Sequence, residues 1–188
     1  QTSAQELSKR AAELEYPIYV KPVKAGSSFG ISRITSPEQL PQAAEKAFEF
    51  DNEITLEEEI PGREVGCAVL GAEKLILGRV DLIQSPGLFD YNEKYNPKES
   101  KIYMPAPIAP ELEERIQQTA AVLYRLLGCS GFARVDMFLT PQNQIVFNEI
   151  NTIPGLTAHS RFPNMMKGAG LELKEVMRVL IELSLKNE

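Results

Sequence analysis

Tryptophan is absent from this 188-residue sequence, histidine occurs once, at His159, and there are two cysteines. Each scarcity removes a class of chemistry. A single histidine excludes a two-histidine zinc site and leaves one candidate for a serine–histidine triad. Cys67 and Cys129 stand in the apolar contexts GCAVL and LLGCSGF without CxxC spacing. They read as small buried residues of a reducing compartment, and not as metal ligands or a disulfide. No apolar run approaches the roughly 20 residues that cross a bilayer. The opening QTSAQELSKRAAELE reads as an amphipathic helix and not as a signal peptide, so a cytoplasmic location is expected. Lysine and arginine, 20 against 26 aspartates and glutamates, are scattered along the chain. A nucleic-acid surface needs a basic stripe, so that function class is excluded, and any bound anion must be held by a local site.

What is present suffices for a core: the sequence is 43% hydrophobic, enough for one domain or two small lobes. Residues 5–15 have helical composition, and YPIYVKP (16–22) reads as a buried strand closed by proline. A glycine- and serine-rich turn leads to a short strand, FGISRI. Ser36-Pro37-Glu38 starts a helix that runs to Phe50, and residues 53–60 return to strand. Pro61-Gly62 is the expected break between an α+β lobe over residues 1–62 and a second over 63–188. The second opens with the strands EVGCAVLG and KLILGRVDLI, followed by a long polar stretch over residues 84–101, the kind of segment that forms lids. Then come a helix over 110–127 with Leu112, Ile116, Ala120, Leu123 and Leu127 on one face, the strands FARVDMFL and QIVFNEI, a glycine/proline loop, and a last helix carrying Leu173, Val176, Met177, Leu180 and Ile181.

Three segments carry chemistry. The first is the hairpin around residues 141–143. A two-residue turn flanked by Pro141 and Gln144 sets Arg134 opposite Asn151 and Asp136 opposite Glu149. Period-two alternation then places these four polar groups on one side of the sheet and Val135, Met137, Val146 and Ile150 on the other. Two carboxylates and an amide oxygen are the hard ligands magnesium takes, with a cation beside them to meet phosphate charge. The plain alternative is a solvated polar face. The second segment is Lys21 followed by KAGSSFG. Gly26 and Gly30 let backbone approach a ligand, and Ser27 and Ser28 offer hydroxyl and amide donors to phosphate oxygens. The lysine precedes the glycines, so this is not a GxxxxGK[ST] P-loop, and a simple hairpin turn explains it equally well. The third is LEEEIPGREVG, residues 56–66. A strand ending there exposes backbone groups suited to an adenine edge, and Glu64 stands where a ribose hydroxyl could be accepted. Clustered glutamates are also simply a solvated strand end.

Together YVKPVKAGSSFGIS, EEEIPGREVGCAVLG, LFDYNEKY, GFARVDMFL and FNEINTIPGLTAHS resemble, in order and spacing, the D-alanine:D-alanine ligases of the ATP-grasp superfamily. Within that family the vancomycin-resistance D-alanine:D-serine ligases are most similar, and the C-terminal ATP-binding part is what the chain resembles. The resemblance implies two α+β lobes sandwiching ATP. It implies that Lys21 binds ATP phosphates and that the 26–30 loop, with Ser28, covers them. Glu57, Glu58, Glu59 and Ile60 then line the adenine and Glu64 the ribose, while Asp136, Glu149 and Asn151 hold two Mg2+ ions, or Mn2+. Arg134, with the Gly155 amide, stabilises the tetrahedral intermediate. Lys94 and Tyr95 lie on a closing loop, Tyr95 receives a hydrogen bond from Ser27, and Ser160 and Arg161 meet the second amino acid. The implied reaction activates the D-alanine carboxylate as an acylphosphate, which the amino group of a second D-amino acid attacks. D-serine is favoured by the residues before LFDY and by Arg161, which stands where many D-alanine enzymes place leucine. The implied partners are D-alanine, D-serine and an N-terminal lobe of the same enzyme, in a homodimer. The lobe carries the first D-alanine site, and a further nucleotide-binding lysine is implied upstream of residues 1–62, so the chain alone is expected to be inactive. Alternatives are a D-alanine:D-alanine ligase, another ATP-grasp ligase of carbamoyl-phosphate or biotin-carboxylase type, and a nucleotide-binding module without turnover.

Overall fold

In the computed structural model, residues 4–84 and 101–186 are described. The expected lid, with Lys94 and Tyr95, lies outside them. The chain forms two compact units, one extending to Ile60 and one containing Pro61–Gln84 and the residues from Lys101 onward.

The first unit is a three-stranded antiparallel sheet in the order β2-β1-β3, built from β1 (Ile18–Pro22), β2 (Ser32–Ile34) and β3 (Ile54–Glu58). Helix α1 (Ala4–Ala11) precedes it, and a 3-10 turn (Pro37–Gln39) leads into α2 (Leu40–Phe48). Alternation along β1 buries Ile18 and Val20 against Ala11, Ile34, Leu40, Ala43 and Ala47. Tyr19 and Lys21 are left on the opposite face.

In the second unit the sheet order is β7-β6-β4-β8-β9, with β5 pairing beside β4. Its strands are β4 (Arg63–Gly71), β5 (Leu75–Leu77), β6 (Asp81–Gln84), β7 (Lys101–Tyr103), β8 (Gly131–Leu139) and β9 (Ile145–Asn151). Odd-numbered residues of β4 and β8 (Val65, Cys67, Val69, Ala133, Val135, Met137 and Leu139) pack with Ile116, Ala120 and Tyr124 of helix α3 (Pro110–Leu126). Even-numbered Ala68 and Leu70 meet Phe162, Met165 and Met166 of α4 (Arg161–Gly168) and Val176 of α5 (Leu173–Lys186). Among the described residues, α3 covers one face, while α4 and α5 pack against one end of the other. The rest of that second face, around Glu64 and Gly66, carries the polar residues.

The structure corrects three expectations. KLILGRVDLI is not one strand: it divides at Gly78, whose N–H donates to the Ala68 carbonyl and where a Cβ would come within 3.0 Å of Ala68 and Met165. The glycine/proline loop contains a helix, α4, whose Phe162, Met165 and Met166 are fully buried. On α3, Tyr124 and not Leu127 completes the buried face; its hydroxyl donates to the Gly71 carbonyl at 2.8 Å, whereas Leu127 is 52% exposed.

A charged tie joins α3 to the segment that leads into β6. Glu113, in the first turn of α3, accepts from the Arg79 guanidinium at 2.7 and 2.9 Å and from the Val80 N–H at 3.1 Å. Burial pushes its carboxyl up, but those donors outweigh burial and hold it below the ordinary range. A depressed acid stabilises above its unfolded pKa and loses that contribution as pH falls through the folded value. Glu113→Gln should lower the melting midpoint by about 3–5 °C at neutral pH. The deficit should shrink as pH drops below the ordinary glutamate range. Thermal melts of both proteins across pH check this, and a deficit constant with pH contradicts it.

Candidate nucleotide- and metal-binding site

The hairpin β8–β9 sets Arg134 opposite Asn151, Val135 opposite Ile150 and Asp136 opposite Glu149, as expected, but for a different reason. The loop has three residues, not two: Leu139 pairs with Ile145, the Thr140 N–H donates to the Gln144 carbonyl, and Asn143 takes φ +59°. That loop alone would shift every pair by one. A bulge between Asp136 and Met137 restores the register at the polar end. The correction falls on Val146, which pairs with Phe138 on the polar side instead of joining the core face.

The pairings of β4 extend the pattern. Gly66 stands opposite Asp81 of β6 on one side and Asp136 of β8 on the other. Asp81, Gly66, Asp136 and Glu149 thus form one row across four neighbouring strands, with Glu64, Arg134 and Asn151 two residues away on the same face. Asp81 and Asp136 are buried, at 0% and 1% exposure. Arg134 lies over Asp136, Nε at 2.8 Å and Nη2 at 2.7 Å. Asn151 Nδ2 donates to Asp136 and to Glu149, each at 3.0 Å. Arg161, from the N-terminus of α4, fills the gap over Gly66: Nε and Nη2 donate to Asp81 at 2.7 and 2.8 Å, Nη1 to Glu64 at 3.1 Å, and Nη2 stands 3.2 Å from Asp136. Burial pushes the Glu64 carboxyl up against the pull of Arg161, and the charges of Asp136 and Asp81 add to the rise. Burial also pushes up the thiol of Cys67, which argues against a nucleophilic role at neutral pH.

The donor set fits a hard divalent cation. Asp136, Glu149 and the amide oxygen of Asn151, once the amide turns, would offer oxygen ligands from adjacent strands. Among the described residues no three acidic, histidine or cysteine side chains form a closed cage. Magnesium is ordinarily held by one or two carboxylates plus substrate phosphates, so an open pair suits it.

Gly155 and Ser160 lie in the loop before α4, where a Cβ at Gly155 would sit 2.7 Å from Ser160 Oγ. That hydroxyl is 2.8 Å from Thr157 Oγ1.

The remaining residues lie in the first unit. Lys21 pairs with Glu57. Glu59 accepts from Tyr19 at 3.1 Å and from both prongs of Arg33 at 2.7 and 2.8 Å. The Arg33 fork holds the Glu59 carboxyl below its ordinary range. Glu58 accepts the Glu15 N–H at 2.9 Å, and Ile60 is half-buried. All three glutamates of the run therefore have internal partners. Ser27 and Ser28 are consecutive left-handed residues, φ +55° and +60°, in a turn where the Phe29 N–H donates to the Gly26 carbonyl at 3.2 Å. Gly26 has open space around its Cβ position, whereas a Cβ added at Gly30 (φ +74°) would come within 2.6 Å of the Phe50 ring. Gly30 is thus explained by packing and turn geometry. The sequence reading missed Asp81 and Gly66; an acid inside the apolar strand RVDLI was the signal for the first.

Comparison with known proteins agrees with the pattern. Residues 1–182 match the family profile described as D-ala D-ala ligase C-terminus. The chain is 44% identical over 182 residues to vancomycin/teicoplanin A-type resistance protein VanA of Enterococcus faecium, covering 94% of this chain and 53% of that protein. It is 42% identical over 177 residues to D-alanine--D-alanine ligase A of Escherichia coli strain K12, covering 93% and 49%. Among solved structures, the VanG D-Ala:D-Ser ligase from Enterococcus faecalis superposes with a TM-score of 0.87 at 57% identity, covering 95% of this chain and 52% of that one. The chain spans about half the length of the curated relatives it matches. With its mixed antiparallel sheets and flanking helices, this α+β chain has the ATP-grasp fold and belongs to the family of the D-alanine:D-alanine ligase C-terminus.

Proposed function

We propose that this chain is the nucleotide- and metal-binding half of an ATP-dependent ligase that joins D-alanine to D-serine for peptidoglycan precursors. The observation that carries the reading is the Asp136–Glu149 row flanked by Arg134 and Asn151, in a chain 57% identical to a D-Ala:D-Ser ligase. Bound magnesium would supply charge neutralisation for phosphoryl transfer. Asp136, Glu149 and Asn151 hold it, and Lys21 with the amides around Ser27 and Ser28 orients phosphate oxygens. Backbone groups near Glu57–Ile60 take the adenine edge, since the three glutamate side chains are engaged elsewhere, and Glu64 takes the ribose. Arg134, with the Gly155 amide, meets the oxyanion as the carbonyl becomes tetrahedral. Lys94 and Tyr95 close the site, and Ser160 and Arg161 face the second amino acid. The remainder of the ligase carries the first D-alanine site, and the whole works as a cytoplasmic homodimer.

A D-alanine:D-alanine ligase is the second reading, favoured by one observation: three carboxylates already engage the Arg161 guanidinium. A pocket that merely tolerates the serine hydroxyl discriminates by only about 100-fold. In the full-length ligase, phosphate release should be faster with D-alanine plus D-serine than with D-alanine alone, and Arg161→Leu should erase the difference. A wild type that prefers D-alanine removes the D-serine assignment and leaves the ligase assignment standing. For the chain itself, calorimetry should give ATP binding that requires Mg2+ and weakens in Glu149→Ala. Equal affinity in all arms removes the metal assignment.

A further inference from the structure

The loop after β1 is held in a conformation that its own hydrogen bonds support only weakly. Ser27 and Ser28 are left-handed, at φ +55° and +60°, and Gly30 follows at +74°. A serine in that region costs free energy and persists where its surroundings enforce it. Within the loop, the Phe29 N–H reaches the Gly26 carbonyl at 3.2 Å and the Ile31 N–H reaches the Ser28 carbonyl at 3.4 Å, both long for such bonds. Three further holds come from one stretch, residues 46–51 at the end of α2. Asp51 accepts the Lys24 N–H at 2.7 Å where the loop begins. Lys46 Nζ donates to the Ile31 carbonyl at 3.2 Å where it ends. Between them the Phe50 ring stacks on Phe29, with centroids 6.1 Å apart and planes at 28°. The same ring closes on Gly30, where a Cβ would come within 2.6 Å of it.

Phe29 and Phe50 are 46% and 48% exposed, so the pair stands outside the core of its lobe and its grip falls on the loop. We propose that Phe50 is a positioning residue for nucleotide binding: stacked on Phe29 and closed against Gly30, it holds Ser27 and Ser28 in their left-handed conformation, so that the loop meets the phosphates already shaped. This inference rests on the reading that the 26–30 loop covers the phosphates of ATP. A loop free to relax spends only part of its time in the binding conformation, and the apparent affinity falls by that fraction. The loss is confined to ligands that carry phosphates, because base and ribose are met by other residues.

The test compares, in the full-length ligase, the Kd of ATP with that of adenosine, which keeps base and ribose and lacks phosphate. Phe50→Leu should weaken ATP about 5–10-fold, the reach of one aromatic pair, and leave adenosine unchanged. Phe50→Tyr keeps the ring and should bind both ligands as wild type does. Phe48→Leu, at the end of α2 and 49% exposed, controls for the loss of an exposed aromatic and should change neither constant. Unchanged ATP binding by Phe50→Leu overturns the inference. Equal weakening of adenosine overturns it too, since the whole lobe would then have loosened. If circular dichroism shows Phe50→Leu unfolded, Phe29→Leu removes the other ring and decides: ATP binding as tight as wild type overturns the inference. A wild type that binds adenosine as tightly as ATP removes the phosphate role of the loop, and this inference with it.

Discussion

Gly66→Ala should destabilise the second unit by about 3–5 kcal/mol, the cost of breaking a buried ion pair and a large part of ordinary domain stability. The added methyl would lie 2.4 Å from Arg161 Nη2. An arginine tip is flexible, so that contact by itself is small, although the methyl also meets an oxygen of Asp81 and of Asp136 at 2.9 Å. The electrostatic demand is not: displacing the guanidinium leaves Asp81, Asp136 and Glu64 sharing a buried region without their common cation. A double-mutant cycle separates the two. In an Arg161→Met background the methyl no longer displaces a guanidinium and meets only the aspartate oxygens, so Gly66→Ala should cost at least about 1 kcal/mol less than in wild type. Calorimetric melting of the four proteins measures this. Additivity within about 0.5 kcal/mol would show that the methyl acts on β4 itself and not through Arg161.

Arg134→Met should lower kcat of the full-length ligase by about 100–1000-fold, the range for loss of one preorganised donor to an oxyanion. Arg134 is 7% exposed and forks onto Asp136, so a purely structural role must be distinguished. If the arginine only holds Asp136 in place, its loss weakens magnesium binding and saturating magnesium returns the rate. If it also meets the developing oxyanion, kcat stays low at saturating magnesium while KM for ATP returns toward normal. Arg134→Lys sharpens the comparison, since it keeps the charge and loses the fork. Recovery of kcat at high magnesium in Arg134→Met would reduce Arg134 to a positioning partner of Asp136.

The agreement between expected and observed pairing at the site carries a caution about sequence logic. Arg134–Asn151 and Asp136–Glu149 are paired as a two-residue turn requires, yet no such turn exists. A three-residue loop and a bulge shift the register by one residue each, in opposite senses. The alternation of Arg134, Asp136, Glu149 and Asn151 was strong enough to be right near the site, and wrong only nearer the turn, at Val146. Helix α4 was unreadable for another reason: Arg161, Phe162, Pro163 and Asn164 give little intrinsic helical signal, and burial of Phe162, Met165 and Met166 under the sheet forms it.

The sequence alone determined the strands of the first unit and β4, β8 and β9 of the second, though neither the break at Gly78 nor β7, together with the hairpin that aligns the polar oxygens and the motif order that identifies the family. These depend on residues close together in the chain, where period-two alternation and turn chemistry act locally. Only the tertiary structure decided that Arg161, 80 residues from Asp81, fills the gap at Gly66 and joins Glu64, Asp81 and Asp136 in one buried network. That arrangement arises from three neighbouring strands and a helix laid over them, and no local periodicity encodes which cation reaches a glycine gap.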